Sequence, residues 1–129
     1  MTGSFLLDTN IIVAVFRDEE AVLQKIVAAE LVFIPSPALG ELYLGALRSN
    51  RTADNQALVD QFANGLPILK VDQQTAREWA NLKNALYLIG KPIPDNDIWI
   101  AALAKQHNCT VVTRDNHFDH IAAISRVSW

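Results

Sequence analysis

Cysteine is all but missing: Cys109 stands alone among 129 residues, so no intrachain disulfide can form and a thiolate metal cluster is excluded. Long apolar runs are missing too. The most nearly continuous one, 98–104, covers seven residues, against the roughly 20 that a membrane-spanning helix requires, and no membrane crossing is expected. Glycine and proline number five each. No glycine-rich phosphate loop, GxGxxG fingerprint or GxSxG elbow occurs, which removes the support for Rossmann nucleotide-binding enzymes and serine hydrolases. An excess of positive charge is also absent: 11 Lys and Arg face 14 Asp and Glu, a net −3, which argues against a protein that coats nucleic acid. A nucleic-acid enzyme whose acids surround a cation remains open, because the ion reverses the local sign. Met1-Thr2-Gly3-Ser4 carries no positive side chain ahead of Phe5-Leu6-Leu7, so no secretory leader is expected and the protein is expected in the cytoplasm. What is present is a chain half apolar and 19% charged, the balance of a globular protein, with a length that suits a single domain over 1–129.

Phe5-Leu6-Leu7 is an unbroken apolar run of the kind buried on both faces of a parallel sheet, and it ends at Asp8. Asn10 is expected to cap a helix through Ile11, Ile12, Val13, Val15 and Phe16, and Asp18-Glu19-Glu20 to open a second reaching about residue 30. Further strands are expected at 31–34, 67–71 and 110–113, with a weaker one at 124–127. Pro35-Ser36-Pro37 leads into a helix marked by Leu39, Leu42, Tyr43 and Ala46, with Glu41 inside it. Thr52 or Asp54 starts another that stops at Gly65, and 72–89 carries Ala76, Trp79, Ala80, Leu82, Leu86 and Ile89 at helical spacing up to Gly90. After the rigid Pro92 to Pro94 turn, Asp95 is expected to cap a largely buried helix, with Asp97 on its first turn about 200° around the axis. A short helical turn is expected at 116–121. Strands alternating with helices through right-handed crossovers give the α/β class, a three-layer α/β/α sandwich around a central parallel sheet of four to five strands. Ligands of such sheets bind beyond the carboxyl ends of the strands, where Asp8 and Asp115 both emerge.

Four acids have unusual settings: Asp8 at a buried strand end, Glu41 among Leu39, Leu42, Tyr43 and Leu44, Asp97 beside Ile98 and Trp99, and Asp115 after Val111-Val112. Singly, each has a plain structural reading as a helix cap, a solvated stripe, a helix N-terminus or a turn. Brought together they would repel one another, and the remedy is a hard divalent cation, Mg2+ or Mn2+. Carboxylates around such an ion suit phosphodiester cleavage without a side-chain nucleophile. An aspartyl phosphatase normally has a second acid two residues on, where this chain has Asn10. His117-x-x-His120 lacks the further His or Cys that zinc would need and is expected in a solvent-facing turn, while Cys109, Trp79 and Trp99 are expected in the core.

Leu7-Asp8-Thr9-Asn10, Glu41-Leu42, Asp97-Ile98-Trp99-Ile100-Ala101-Ala102 and Thr113-Arg114-Asp115 resemble, in order and spacing, the motifs of the PIN domains, and among these the VapC-type ribonuclease toxins of prokaryotic toxin–antitoxin pairs. The resemblance implies a PIN-like fold and metal-dependent endoribonuclease activity on RNA, with Asp8, Glu41, Asp97 and Asp115 as the catalytic and metal-binding acids and Thr9 and Thr113 as supporting hydroxyls. The last motif often carries Asn at the position of Asp115, which leaves open whether that residue meets the metal directly or through water. The resemblance further implies a homodimer and an inhibitory antitoxin segment over the acidic site. Setting the four acids aside leaves 11 basic residues against 10 acidic ones, a near-neutral surface on which Arg114, Lys91, Arg48 and Arg51 are candidate phosphate contacts. Tyr43, Leu44 and Leu47 are a candidate partner face. The competing function is a catalytically inactive PIN-like interaction module, against which the intact set of acids speaks.

Overall fold

A computed structural model describes residues 2–129; Met1, the first residue of the N-terminal stretch considered above, lies outside them. The central strand is β1 (Ser4–Leu7), with β2 (Leu31–Pro35) and β3 (Ile68–Leu69) on one side and β4 (Thr110–Val112) and β5 (Ser125–Val127) on the other. All neighbouring pairs are parallel, in the order β3-β2-β1-β4-β5. The helices are α1 (Thr9–Phe16), α2 (Glu20–Ala28), α3 (Ser36–Leu47), α4 (Thr52–Ala63), α5 (Gln73–Ile89) and α6 (Asp95–His107), and a 3-10 turn covers Asn116–His120. The chain steps outward from β1 through β2 to β3 and then returns across the sheet to β4. With right-handed crossovers, α1 to α4 cover one face and α5 and α6 the other, which is the expected three-layer arrangement. The direction reverses between β1 and β4, the switch point at which such sheets open a crevice.

Burial follows from this layering. Leu6, Leu7, Val111 and Val112 in the two central strands are completely buried, as an unbroken apolar strand requires. Helix α6 is apolar nearly all round because it packs against α5, α3 and β4 together, with Ile98, Ile100, Ala101, Ala102 and Leu103 all buried. Helix α5 is delimited by its own sequence. The Asp72 carboxylate accepts from the Thr75 N–H while the Thr75 hydroxyl accepts from the Asp72 N–H, each at 3.0 Å. It stops at Gly90, whose φ of 65° is left-handed.

Several expectations need correction. Helix α1 is capped by Asp8, not Asn10: Asp8 Oδ1 accepts from the Thr9 N–H at 2.8 Å, so strand end and helix cap are one residue and the Asn10 amide is free to bond elsewhere. Asp95 is no cap. Pro94 holds the cap position, Asp95 is the first helical residue, and Lys83 of α5 draws its carboxylate to 2.6 Å. Strand β3 has only Ile68 and Leu69 of the expected five residues, since it pairs with Ile34 and Pro35 and proline has no N–H to extend the ladder. Helix α2 ends at Ala28. Ile89, expected on the buried face of α5, is 56% exposed, and the helix buries Thr75, Leu82 and Leu86 instead. Among the described residues no helix is long and apolar enough to cross a membrane.

Phe118 fixes the 3-10 turn to the core, with 1% of its surface exposed. Replacing it with Ala is expected to remove about 3–5 kcal/mol of stability in urea unfolding, and a loss below about 1 kcal/mol would contradict this anchoring role.

Candidate active site

The register of the sheet sets the site. Leu7 lies beside Val112, so the next residues, Asp8 and Thr113, leave the sheet side by side. The Asp8 N–H donates to the Val112 carbonyl at 3.0 Å. The fully buried Thr113 hydroxyl donates to Asp8 Oδ2 at 2.7 Å, and it accepts from Asn10 Nδ2 at 3.1 Å and from the Asp115 N–H at 3.0 Å. One hydroxyl thus joins the end of β1, the first turn of α1 and the loop after β4. Asn10 closes the same knot, because its Oδ1 accepts from the Arg114 N–H at 3.2 Å. The Thr9 hydroxyl is buried and has no partner among the described residues, although the Thr9 N–H serves Asp8.

The other acids arrive from two helices and the loop. Glu41 is exposed on α3. Asn96 donates its amide both to Glu41 and, at 3.2 Å, to the Pro37 carbonyl, which ties the start of α6 to α3. Asp97 sits one residue further along the first turn of α6. Asp115 Oδ1 accepts a hydrogen bond from the His117 backbone N–H at 2.9 Å, and the His117 ring Nδ1 lies 3.1 Å from the same oxygen. Donor atoms of Asp97, Asp115 and His117 all lie within 4.8 Å of one another.

These carboxylates act on one another. Burial, and then the charges of Asp8, Asp115 and Glu41, push Asp97 up to about 6, with His117 partly opposing. Burial raises Asp8 most; the hydrogen bonds from Thr113 and Thr9 counteract it, and Glu41 and Asp115 add to the rise. The four acids singled out in the sequence therefore share one electrostatic environment. A set of hard carboxylate oxygens, partly desolvated and mutually repelling, fits a small divalent cation.

The basic candidates fare differently. The Arg114 guanidinium lies 2.9 Å from Glu19 and donates to the Trp129 carbonyl at 3.2 Å, so the side chain expected to meet phosphate already has an acidic partner. Arg51 pairs with Asp54 at 2.8 Å, whereas Lys91 and Arg48 are exposed. The two histidines part: His120 lines an apolar cleft with Leu82, Leu86 and Ile121, while His117 turns its ring onto Asp115. His117 and Asn96 are the site neighbours that sequence reasoning missed. The signals available were an imidazole two residues after one motif acid and an amide directly before another. Trp79 and Trp99 stack at 5.0 Å across α5 and α6, and Cys109 is buried.

The PIN domain family model matches residues 5–124. Ribonuclease VapC2 of Haemophilus influenzae is 31% identical over 128 residues, covering 97% of each chain. Ribonuclease VapC5 of Mycobacterium tuberculosis is 33% identical over 119 residues, covering 88% of this chain and 84% of its own. Among solved structures, the DNA-bound VapBC of Salmonella typhimurium matches with a TM-score of 0.91 at 29% identity over 98% of both chains. The chain belongs to the PIN-domain family, in its VapC branch.

The raised Asp97 makes a stability prediction for the protein kept free of metal. Its folded value of about 6 lies above the ordinary 3.8, so between these values the folded state holds the proton more tightly than the unfolded state. Stability therefore falls as pH rises from about 4 to about 6 and levels off above. The contribution is on the order of 1 kcal/mol once solvent screening of a half-buried carboxyl is allowed for. Urea unfolding in EDTA at both ends of this range should show a smaller decline for Asp97→Asn than for the wild type; equal declines would contradict the assignment.

Proposed function

We propose that this chain is a divalent-metal-dependent endoribonuclease cleaving phosphodiester bonds of single-stranded RNA or RNA loops, and that it is the toxin of a VapBC-type toxin–antitoxin pair. The observation that carries the reading is the convergence of Asp8, Glu41, Asp97 and Asp115 at the sheet's switch point, with Asp97 pushed to about 6 by burial and by the other three. The relatives named as ribonucleases support it. In this reading the four acids hold Mg2+ or Mn2+, Asp115 directly or through water. When bound, the ion supplies charge opposite the phosphate oxygens and lowers the pKa of water. The chain's own groups do the rest. Thr113 and Asn10 hold Asp8 in place, Asn96 holds Glu41, and the exposed Lys91 and Arg48 offer phosphate contacts of modest non-specific affinity. Arg114 joins them only by releasing Glu19.

The partner reading rests on the VapBC complexes among the solved structures. An antitoxin segment covers the acidic site, and its apolar side chains fill an open groove of about 550 Å3 between α1, α2 and α4, lined by Val15, Phe16, Leu23, Ile26, Phe62 and Leu66. Leu44 and Leu47 on α3 are 57% and 59% exposed and give a second copy of the chain an apolar surface to meet. Tyr43 is instead engaged by Asp60.

Purified protein should cleave structured RNA in Mg2+ or Mn2+ and lose that activity in EDTA. Asp8→Asn should lower cleavage by about 100-fold or more. Its metal-free melting temperature should be unchanged or higher, because one charge leaves a repelling cluster while Oδ1 still accepts from the Thr9 N–H. Cleavage by Asp8→Asn at the wild-type rate would contradict the role given to Asp8, and metal binding without cleavage of any RNA would leave an inactive interaction module in place of the enzyme.

A further inference from the structure

We infer that His117 is a nitrogen ligand of the ion held by Asp97 and Asp115, converting an otherwise all-oxygen site into a mixed one that favours Mn2+ over Mg2+. The inference rests on the metal-dependent reading above and deepens it by naming the ion.

Geometry carries the argument. In an octahedral site with bonds of about 2.1 Å, adjacent ligand atoms are about 3.0 Å apart and opposite ones about 4.2 Å apart. His117 Nδ1 and Asp115 Oδ1 are separated by 3.1 Å, the length of one such edge. Adding Asp97 gives three donor atoms, all within 4.8 Å of one another, close enough for side-chain rotation to bring the set to one centre. The backbone of His117 is also held from two directions. Its N–H donates to the same Asp115 oxygen at 2.9 Å, and the next residue, Phe118, is sunk in the core at 1% exposure. The turn that carries the ring therefore sets it beside Asp115. His120 faces the apolar cleft on α5 and His107 lies in the last turn of α6, so neither substitutes for it.

The chemistry follows from the donor set. Ligation requires a neutral imidazole whose Nδ1 lone pair is free and whose proton sits on Nε2, and the half-exposed position of the ring permits proton exchange with solvent. Mg2+ takes hard oxygen donors and keeps much of its water, whereas an imidazole nitrogen adds affinity for first-row transition ions. One nitrogen among carboxylates consequently separates Mn2+ from Mg2+, which an acid-only site of the same charge does far less.

The full-length protein loaded with Mn2+ should show, in pulsed electron paramagnetic resonance, the 14N coupling of a directly bound imidazole. That signal should change to the 15N pattern when the chain's histidines are labelled, and it should vanish in both His117→Ala and His117→Gln. By calorimetric titration these variants should lose about tenfold or more in Mn2+ affinity with little change for Mg2+. Mn2+ bound without directly coupled nitrogen, or equal losses for both ions, would overturn the role of His117 and leave the acidic site standing. A wild-type protein that takes up no Mn2+ would overturn the metal-dependent reading and His117 with it.

Discussion

A carboxylate at the end of a central strand, 4% exposed, must find hydrogen-bond donors or give up its charge, and Asp8 finds them in the Thr113 hydroxyl, the Thr9 N–H and the Asn10 amide. The bond from Thr113 matters most because it crosses from β4 to β1, joining residues distant in sequence at the point where the sheet order reverses. The same oxygen receives the Asp115 N–H, so the direction of the last motif depends on the group that steadies the first. Loss of that hydroxyl would leave a buried carboxylate, an amide and a backbone N–H with one partner fewer at once.

Hydrogen bonding offsets the burial of Asp8 only in part, and Asp97 rises to about 6 with the three other acids as contributors. The rest of the chain obeys ordinary rules: apolar central strands, a capping box and glycine stop on α5, and an α6 that is buried nearly all round. Conflict between local chemistry and stability is concentrated at the switch point, where a fold otherwise consistent with its sequence tolerates repulsion that a bound cation would relieve. A helix cap and the catalytic role proposed for Asp8 are therefore compatible. Asp8 performs the first with Oδ1 while Oδ2 faces Thr113 and Asn10.

Much of this was legible in the sequence because it depends on short-range pattern. Phe5-Leu6-Leu7 and Thr110-Val111-Val112 gave strands, Asp72 and Gly90 bounded α5, and alternation of strands with helices gave the parallel sheet. The acids were singled out by their motifs; the register of β1 and β4 set Asp8 beside Thr113, while Glu41 and Asp97 came from α3 and α6 and Asp115 from the loop after β4. What escaped detection depends on partners remote in sequence. Arg114 meets Glu19, Asp95 meets Lys83, and Asn96 meets Glu41, and no local periodicity encodes those choices. His117 escaped for another reason: with His120 it suggested a helical pair, but a 3-10 turn anchored by Phe118 sends the two rings to different neighbours.

The central claim is that Asp97 is held in a crowded acidic cluster awaiting a positive charge. Its side-chain carboxyl can be followed by 13C NMR as pH is varied, first in EDTA and then with saturating Mg2+, which is diamagnetic. Without metal the titration should centre near 6, as burial and the charges of Asp8, Asp115 and Glu41 require, and Mg2+ should move it to markedly lower pH. A metal-free midpoint in the ordinary range near 4, unmoved by Mg2+, would contradict the account.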